Sequence, residues 1–174
     1  EQCLNGRSTH CEQRSTLGVF NRQGVFAQYT TLPLRNLHRV PANVPDDAAV
    51  FTEPLAAALE ILQQVQVHPE DRVLLIGAGR LGQLIAPVLM RTGCQLRVVA
   101  RHPQQIALLQ DQGIPVLRAE DVPDRRAEIV VEATGSPAGF ELARRAIRPR
   151  GIIVLKSTYH GTLEVNFSEL VVQE

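Results

Sequence analysis

Neither sign of charge is in excess in this chain. Eighteen Lys and Arg residues stand against eighteen Asp and Glu residues over 174 positions, for a formal net charge of zero. Following a nucleic acid backbone or adhering to an anionic membrane calls for a surplus of cations, so neither partner is expected. Long apolar runs are missing too. No stretch approaches the ~18 residues that span a bilayer, and no basic segment followed by an apolar one opens the chain. A cytoplasmic location is therefore the default expectation. Cysteine is scarce: Cys3, Cys11 and Cys94 are an odd number without an export signal, which argues against a disulfide framework. Cys3 and Cys11 lie in a polar loop, and two thiolates do not close a tetrahedral zinc site, which takes four ligands. Cys94, in TGCQL before an apolar strand, reads as a small buried hydrophobe. An initiating methionine is also absent. The text begins at Glu1 inside a Cys-bearing loop, and the chain is expected to be a piece of a longer polypeptide.

What is present suffices for a core, since 44% of the residues are hydrophobic. The glycines of VLLIGAGRLG, Val73 to Gly82, organise the rest. Four apolar residues run into Gly77, Gly79 and Gly82, with Ala78, Arg80 and Leu81 between them, and then into a segment of helical periodicity. A strand, tight turn and helix of this kind present free backbone N–H groups to a diphosphate. The spacing alone is also compatible with a plain glycine-rich turn. Its surroundings favour the nucleotide reading. Strands are expected over Arg72 to Ile76, Gln95 to Ala100, Ile114 to Leu117, Glu128 to Ala133 and Gly151 to Leu155, alternating with helices over Arg80 to Arg91, Pro103 to Gln112 and Pro137 to Ile147. Such alternation specifies a parallel sheet covered on both faces. Pro87 lies inside the first of these helices and is expected to bend it.

Ahead of the glycine turn, Leu17 to Pro41 reads as short strands and turns, with LGVF and VFAQYTTL as the strands. After Pro45, Asp46 is a candidate N-cap, and Leu55, Ala58, Leu59 and Leu62 share one helix face. Glu53, in FTEPLAAAL, is either a first-turn carboxylate favoured by the helix dipole or an acid facing an active site.

The second strand ends at Ala100, followed by Arg101 and His102. An acid about 20 residues past the glycines accepts hydrogen bonds from the adenosine ribose diol of NAD and repels a 2′-phosphate. Here that acid is missing and a guanidinium adjoins the gap. NADP(H) is favoured over NAD(H) accordingly, unless Arg101 is simply a solvated loop residue. Thr134-Gly135 after the fourth strand and Lys156-Ser157 after the fifth lie at the same strand ends and are candidate cofactor contacts, or ordinary polar turns.

Taken together, Cys3-x7-Cys11, GVFAQYTTLP, FTEPLAAAL, VLLIGAGRLG, VEATGSPAGFELA and RPRGIIVLK, in this order and spacing, resemble the zinc-dependent alcohol dehydrogenases, of polyol and threonine type, in the medium-chain dehydrogenase/reductase superfamily. The resemblance runs from Cys3 to the C-terminus. It implies an α/β fold, a Rossmann doubly wound parallel sheet preceded by a β-rich remnant of a GroES-like catalytic domain. The implied boundaries are 1–44 for the remnant, 45–70 for a connecting helical segment and 71–174 for an incomplete Rossmann domain. It implies hydride transfer between NADP(H) or NAD(H) and a small alcohol or carbonyl, Zn²⁺ in the full-length protein, and a homo-oligomer at full length. Cys3 and Cys11 match two of the family's four structural-zinc cysteines, and Glu53 matches a glutamate beside its catalytic zinc. Gly-His-Glu, which holds that zinc, has no match here, so no catalytic residue is assigned within the chain, and the chain is expected to be inactive alone. Two rivals are a zinc-independent NADPH reductase of enones or quinones and a non-catalytic NAD(P)-sensing module.

Overall fold

The computed structural model describes residues 4–6, 8–159 and 161–172. The chain divides into two units, residues 1–44 and 45–174.

In the first unit the strand expected over LGVF is replaced by a turn and that over VFAQYTTL by irregular backbone. Thr16 and Phe20 form an isolated antiparallel bridge, and 3-10 turns occupy Ser8–His10 and Leu34–Asn36. Gly18, at φ 70°, and Asn21, at φ 52°, curl the segment back on itself. The Val19 and Phe20 N–H groups both donate to the Thr16 carbonyl, so LGVF closes a tight turn where extension was expected. For VFAQYTTL the reason lies in pairing. A strand gains its hydrogen bonds from a neighbouring strand, and Phe26 and Tyr29 stand fully exposed without one.

The second unit opens with a short helix, α1 (Asp46–Ala49), and a longer one, α2 (Thr52–Gln64). Pro54 explains the break between them. Its ring would clash with the Val50 carbonyl of a continuous helix, whereas in the first turn of α2 its missing N–H is harmless. The buried face of α2 also differs from the expected one. Ala58 and Ile61 are fully covered, while Leu55 and Leu59 remain partly exposed.

Five strands follow: β1 (Arg72–Ile76), β2 (Gln95–Val99), β3 (Val116–Leu117), β4 (Ala127–Glu132) and β5 (Ile147–Leu155). They alternate with α3 (Arg80–Met90), α4 (Pro103–Asp111) and α5 (Pro137–Ala146), and α6 (Phe167–Val172) comes last. Every pair is parallel, in the order β3-β2-β1-β4-β5. Apolar β1 sits at the centre because both its faces are covered. Val73 and Leu75 point into one core layer with Ala58, Ile61, Ile85, Leu89 and Leu109, from α2, α3 and α4. Leu74 and Ile76 point into the other, with Ala143 and Ala146 from α5. The expected doubly wound sheet is formed. α3 runs on as one helix through Pro87, which has no N–H to donate to the Gln83 carbonyl. Cys94 is buried as expected, its thiol donating to the Leu89 carbonyl, and burial pushes that thiol up.

The register decides where a ligand can sit. Ile76 lies opposite both Val99 and Glu132, Val99 opposite Leu117, and Glu132 opposite Leu155. All five strands therefore end at one level. At the other end of the sheet Glu128 accepts two hydrogen bonds from the Arg72 guanidinium, at 2.7 and 2.9 Å, one from the Arg72 N–H at 2.9 Å and one from Arg148 at 3.1 Å. The Arg72 side-chain hydrogen bonds above all hold the Glu128 carboxyl at about 2, against the opposing effect of burial. Because the folded value is depressed, the pair stabilises the fold above the ordinary carboxylate range. That stabilisation is lost as pH falls from about 4.5 toward 2. The Arg72 side chain is 47% exposed, and solvent screening limits the effect. Glu128→Gln is expected to cost about 1–2 kcal/mol at pH 7. In urea titrations the gap between variant and wild type should narrow below about pH 4.5 and close only near pH 2. A gap that stays constant with pH would show that the ion pair is not its source.

Candidate functional site

At the carboxyl ends of the strands the chain forms a crevice of ≈ 800 Å³, lined among others by Gly77, Ala78, Gly79, Ala100, Arg101, His102 and Thr134. All seven are residues singled out by the sequence. Gly77 takes φ 105°, which lets its N–H donate to the Val99 carbonyl at 3.1 Å. Gly79 is the N-cap of α3 without a side-chain capping bond, and a Cβ there would point into open space. Gly82 is buried, and a Cβ on it would lie 2.0 Å from the Gly77 carbonyl oxygen. The N–H groups of Arg80, Leu81 and Gly82 fall in the first turn of α3, where no intrahelical acceptor exists. Together with the helix dipole they give this end of the crevice the character of an anion site.

The opposite helix terminus at the crevice differs. At α5 the N-cap is Ser136, whose hydroxyl accepts from the Gly139 N–H at 3.1 Å. Gly135 donates its N–H to the Ser157 hydroxyl at 2.8 Å, joining the loops after β4 and β5. Lys156 is half-buried and continues the backbone pairing, its N–H donating to the Glu132 carbonyl at 2.8 Å. Gly135, Lys156 and Ser157 thus adjoin the crevice wall without lining it.

Three contributors escaped the sequence reading. Gln83 donates to the carbonyls of Ala78, at 3.2 Å, and Gln105, at 3.1 Å, tying the glycine turn to α4. Arg118, just past β3, lines the crevice, with its guanidinium 3.9 Å from Glu120. Glu132 is buried and accepts hydrogen bonds from the Thr134 N–H at 2.6 Å and from the Thr134 and Ser157 hydroxyls. The signal for it was present: a single acid closing the otherwise apolar run IVVE at a strand end.

The metal candidates do not come together. Cys3 lies outside the described residues, Cys11 is a half-buried free thiol, and Glu53 is exposed in the first turn of α2. Among the described residues no three His, Cys, Asp or Glu side chains gather where they could share an ion. Cys11 and Glu53 by themselves do not make a zinc site, which takes three or four protein ligands.

Comparison with known proteins completes the assignment. The family model for shikimate / quinate 5-dehydrogenase matches residues 58–145, so over its nucleotide unit the chain belongs to that family. L-threonine 3-dehydrogenase of Shewanella frigidimarina (strain NCIMB 400) is 32% identical over 140 residues, covering 80% of this chain and 40% of that protein. The alcohol dehydrogenase TADH from Thermus sp. ATN1 superposes with a TM-score of 0.80 at 27% identity, over 98% of this chain and 56% of its own. In sequence and fold the chain is thus similar to threonine and alcohol dehydrogenases. It spans about half the length of the relatives it matches. A protein of Sinorhizobium meliloti 1021, solved bound to NADP, shares the fold at a TM-score of 0.87 and 19% identity, over 99% of this chain and 55% of its own.

The electrostatics of the crevice are uneven. Ala100, at the end of β2, is buried and offers no carboxylate. Arg101 follows it, its Nε donating to His102 Nε2 at 3.0 Å, and among the described residues no acid pairs with its guanidinium. His102 is the N-cap of α4 and supplies no side-chain capping bond. The β2 side of the crevice therefore presents a guanidinium beside an uncapped helix start.

Proposed function

We propose that this chain supplies the cofactor half of a hydride-transfer enzyme, binding NADP(H) in preference to NAD(H) for the interconversion of a small alcohol and its carbonyl. The observation that carries the reading is Arg101 lining the crevice where Ala100, and no acid, follows β2. The diphosphate would lie against the first turn of α3, with Gly79 leaving room for its oxygens. A 2′-phosphate would meet the Arg101 guanidinium, oriented by His102, in a charge-assisted contact. The nicotinamide half would reach the Thr134 side, across the point where the strand order reverses between β1 and β4. Bound there, the cofactor would supply the hydride acceptor or donor at its nicotinamide ring. The chain's own contribution is to orient and to bind. An alcohol substrate is proposed because a relative is an L-threonine 3-dehydrogenase.

Fluorescence titration of the chain with NADPH and NADH tests this. NADPH is expected to bind about tenfold tighter or more, the effect of one charge-assisted contact. Equal or tighter binding of NADH would overturn the preference. With an alcohol and NADP⁺ the isolated chain is expected to show no turnover.

A further inference from the structure

We propose that Glu132 is a positioning residue of the crevice, whose carboxylate sets the hydrogen direction of the surrounding hydroxyls so that the Ser136 hydroxyl meets the cofactor as an acceptor. The inference rests on the cofactor reading above. Among the described residues Glu132 is the one buried charged side chain, at 4% exposure. Burial of a carboxylate is costly unless its oxygens are fully hydrogen-bonded. Both are: Oε1 accepts from the Thr134 N–H and hydroxyl, and Oε2 from the Ser157 hydroxyl.

A carboxylate only accepts, and a hydroxyl has one hydrogen. The Thr134 hydrogen goes to Glu132, so in the 2.8 Å bond between Thr134 Oγ1 and Ser136 Oγ the Ser136 hydroxyl must donate. Ser136 Oγ in turn accepts from the Gly139 N–H. On the second arm the Ser157 hydrogen goes to Glu132, while Ser157 Oγ accepts from the Gly135 N–H. Two chains of hydrogen bonds thus converge on one carboxylate. Every hydroxyl hydrogen points inward, and the N–H groups of Thr134, Gly135 and Ser136 are all occupied.

The consequence concerns ligand chemistry. Thr134 and Ser136 line the crevice, yet none of the N–H or O–H groups of these two residues is left for a phosphate; the donor beside them is the Ala138 N–H in the first turn of α5. On the Thr134 and Ser136 side chains what remains is a lone pair on Ser136 Oγ, suited to a donor such as a ribose hydroxyl or the carboxamide of the nicotinamide. Glu132 does not transfer a proton, since both oxygens are engaged. It acts through Thr134, Ser136 and Ser157. The packing leaves little slack, because a Cβ on Gly139 would lie 2.7 Å from Glu132 Oε1.

The test compares two probes on the full chain. NADPH reaches both sides of the crevice, whereas adenosine 2′,5′-bisphosphate reaches only the β2 side. Glu132→Gln keeps the shape but introduces an N–H₂ that must donate to one arm, reversing a hydroxyl. It is expected to weaken NADPH about tenfold and to leave the bisphosphate unchanged. Ser157→Ala, which breaks one arm while keeping the carboxylate, should shift NADPH in the same direction. The inference is overturned if Glu132→Gln binds NADPH like the wild type. It is equally overturned if both probes weaken in step with a lowered melting temperature, which would mark a purely structural role. A wild-type chain that binds neither probe would instead overturn the cofactor reading, and this inference with it.

Discussion

Replacing Gly82 with alanine is expected to abolish measurable dinucleotide binding and to destabilise the second unit by about 2–3 kcal/mol. The methyl group would lie 2.0 Å from the Gly77 carbonyl oxygen and 3.0 Å from its carbon. Both obstacles are backbone, so no side-chain rotation relieves them. Relief requires α3 to back away from the turn by roughly 1 Å or more, given ordinary contact distances near 3.5 Å. The helix resists, because Ile85, Ala86 and Leu89 are fully buried against the sheet. Alanine's better helix propensity returns only about 1 kcal/mol, less than the overpacking costs. The displacement also carries the first-turn N–H groups away from the phosphate position, which is why binding should fail before folding does. Thermal melting and NADPH titration check this together. The melting temperature should fall by roughly 5–10 °C, from about 2–4 °C per kcal/mol for a chain of this size. Gly79→Ala is the control, since its Cβ meets nothing within 4 Å. It should melt like the wild type. A Gly82→Ala chain with unchanged melting and affinity would refute the packing argument.

Arg101→Ala is expected to weaken NADPH binding by about 10–100-fold while leaving NADH within about twofold, the range for losing a hydrogen-bonded charge. Two guanidiniums line the β2–β3 side of the crevice, and their surroundings rank them. Arg118 already has Glu120 at 3.9 Å, which offsets part of its charge. Arg101 has no acid partner among the described residues, and its Nε bond to His102 leaves the terminal N–H₂ groups for a ligand. Arg118→Ala should therefore have the smaller effect. The Arg101 contribution should shrink as salt rises, because the site is open to solvent and screened over about 10 Å at 0.1 M ionic strength. Unchanged NADPH affinity in Arg101→Ala, at low salt, would remove the basis for an NADP(H) preference.

The legible part of this protein is its local part. The run VLLI reads as a doubly covered strand because apolar residues on both faces of the pleat demand cover on both sides. The three glycines at 77, 79 and 82 read as a turn against a helix because a Cβ at two of them would collide with backbone. Where the reading failed, the deciding partner was distant. LGVF has the composition of a strand, but a strand exists only when paired, and Gly18 closed a turn instead. On α2 the periodicity admitted several overlapping faces, and contact with α3 and the sheet selected Ala58 and Ile61.

The sequence by itself determined the order of strands and helices, the glycine turn, and the absence of an acid after β2, since each depends on residues adjacent along the chain. Tertiary structure alone decided the register that ends five strands at one level. It also decided the crevice membership of Arg118 and the meeting of Glu132 with Ser157. Glu132 and Ser157 stand 25 positions apart, and they meet only because β4 and β5 pair in parallel, a pairing whose register is set by packing both sheet faces at once.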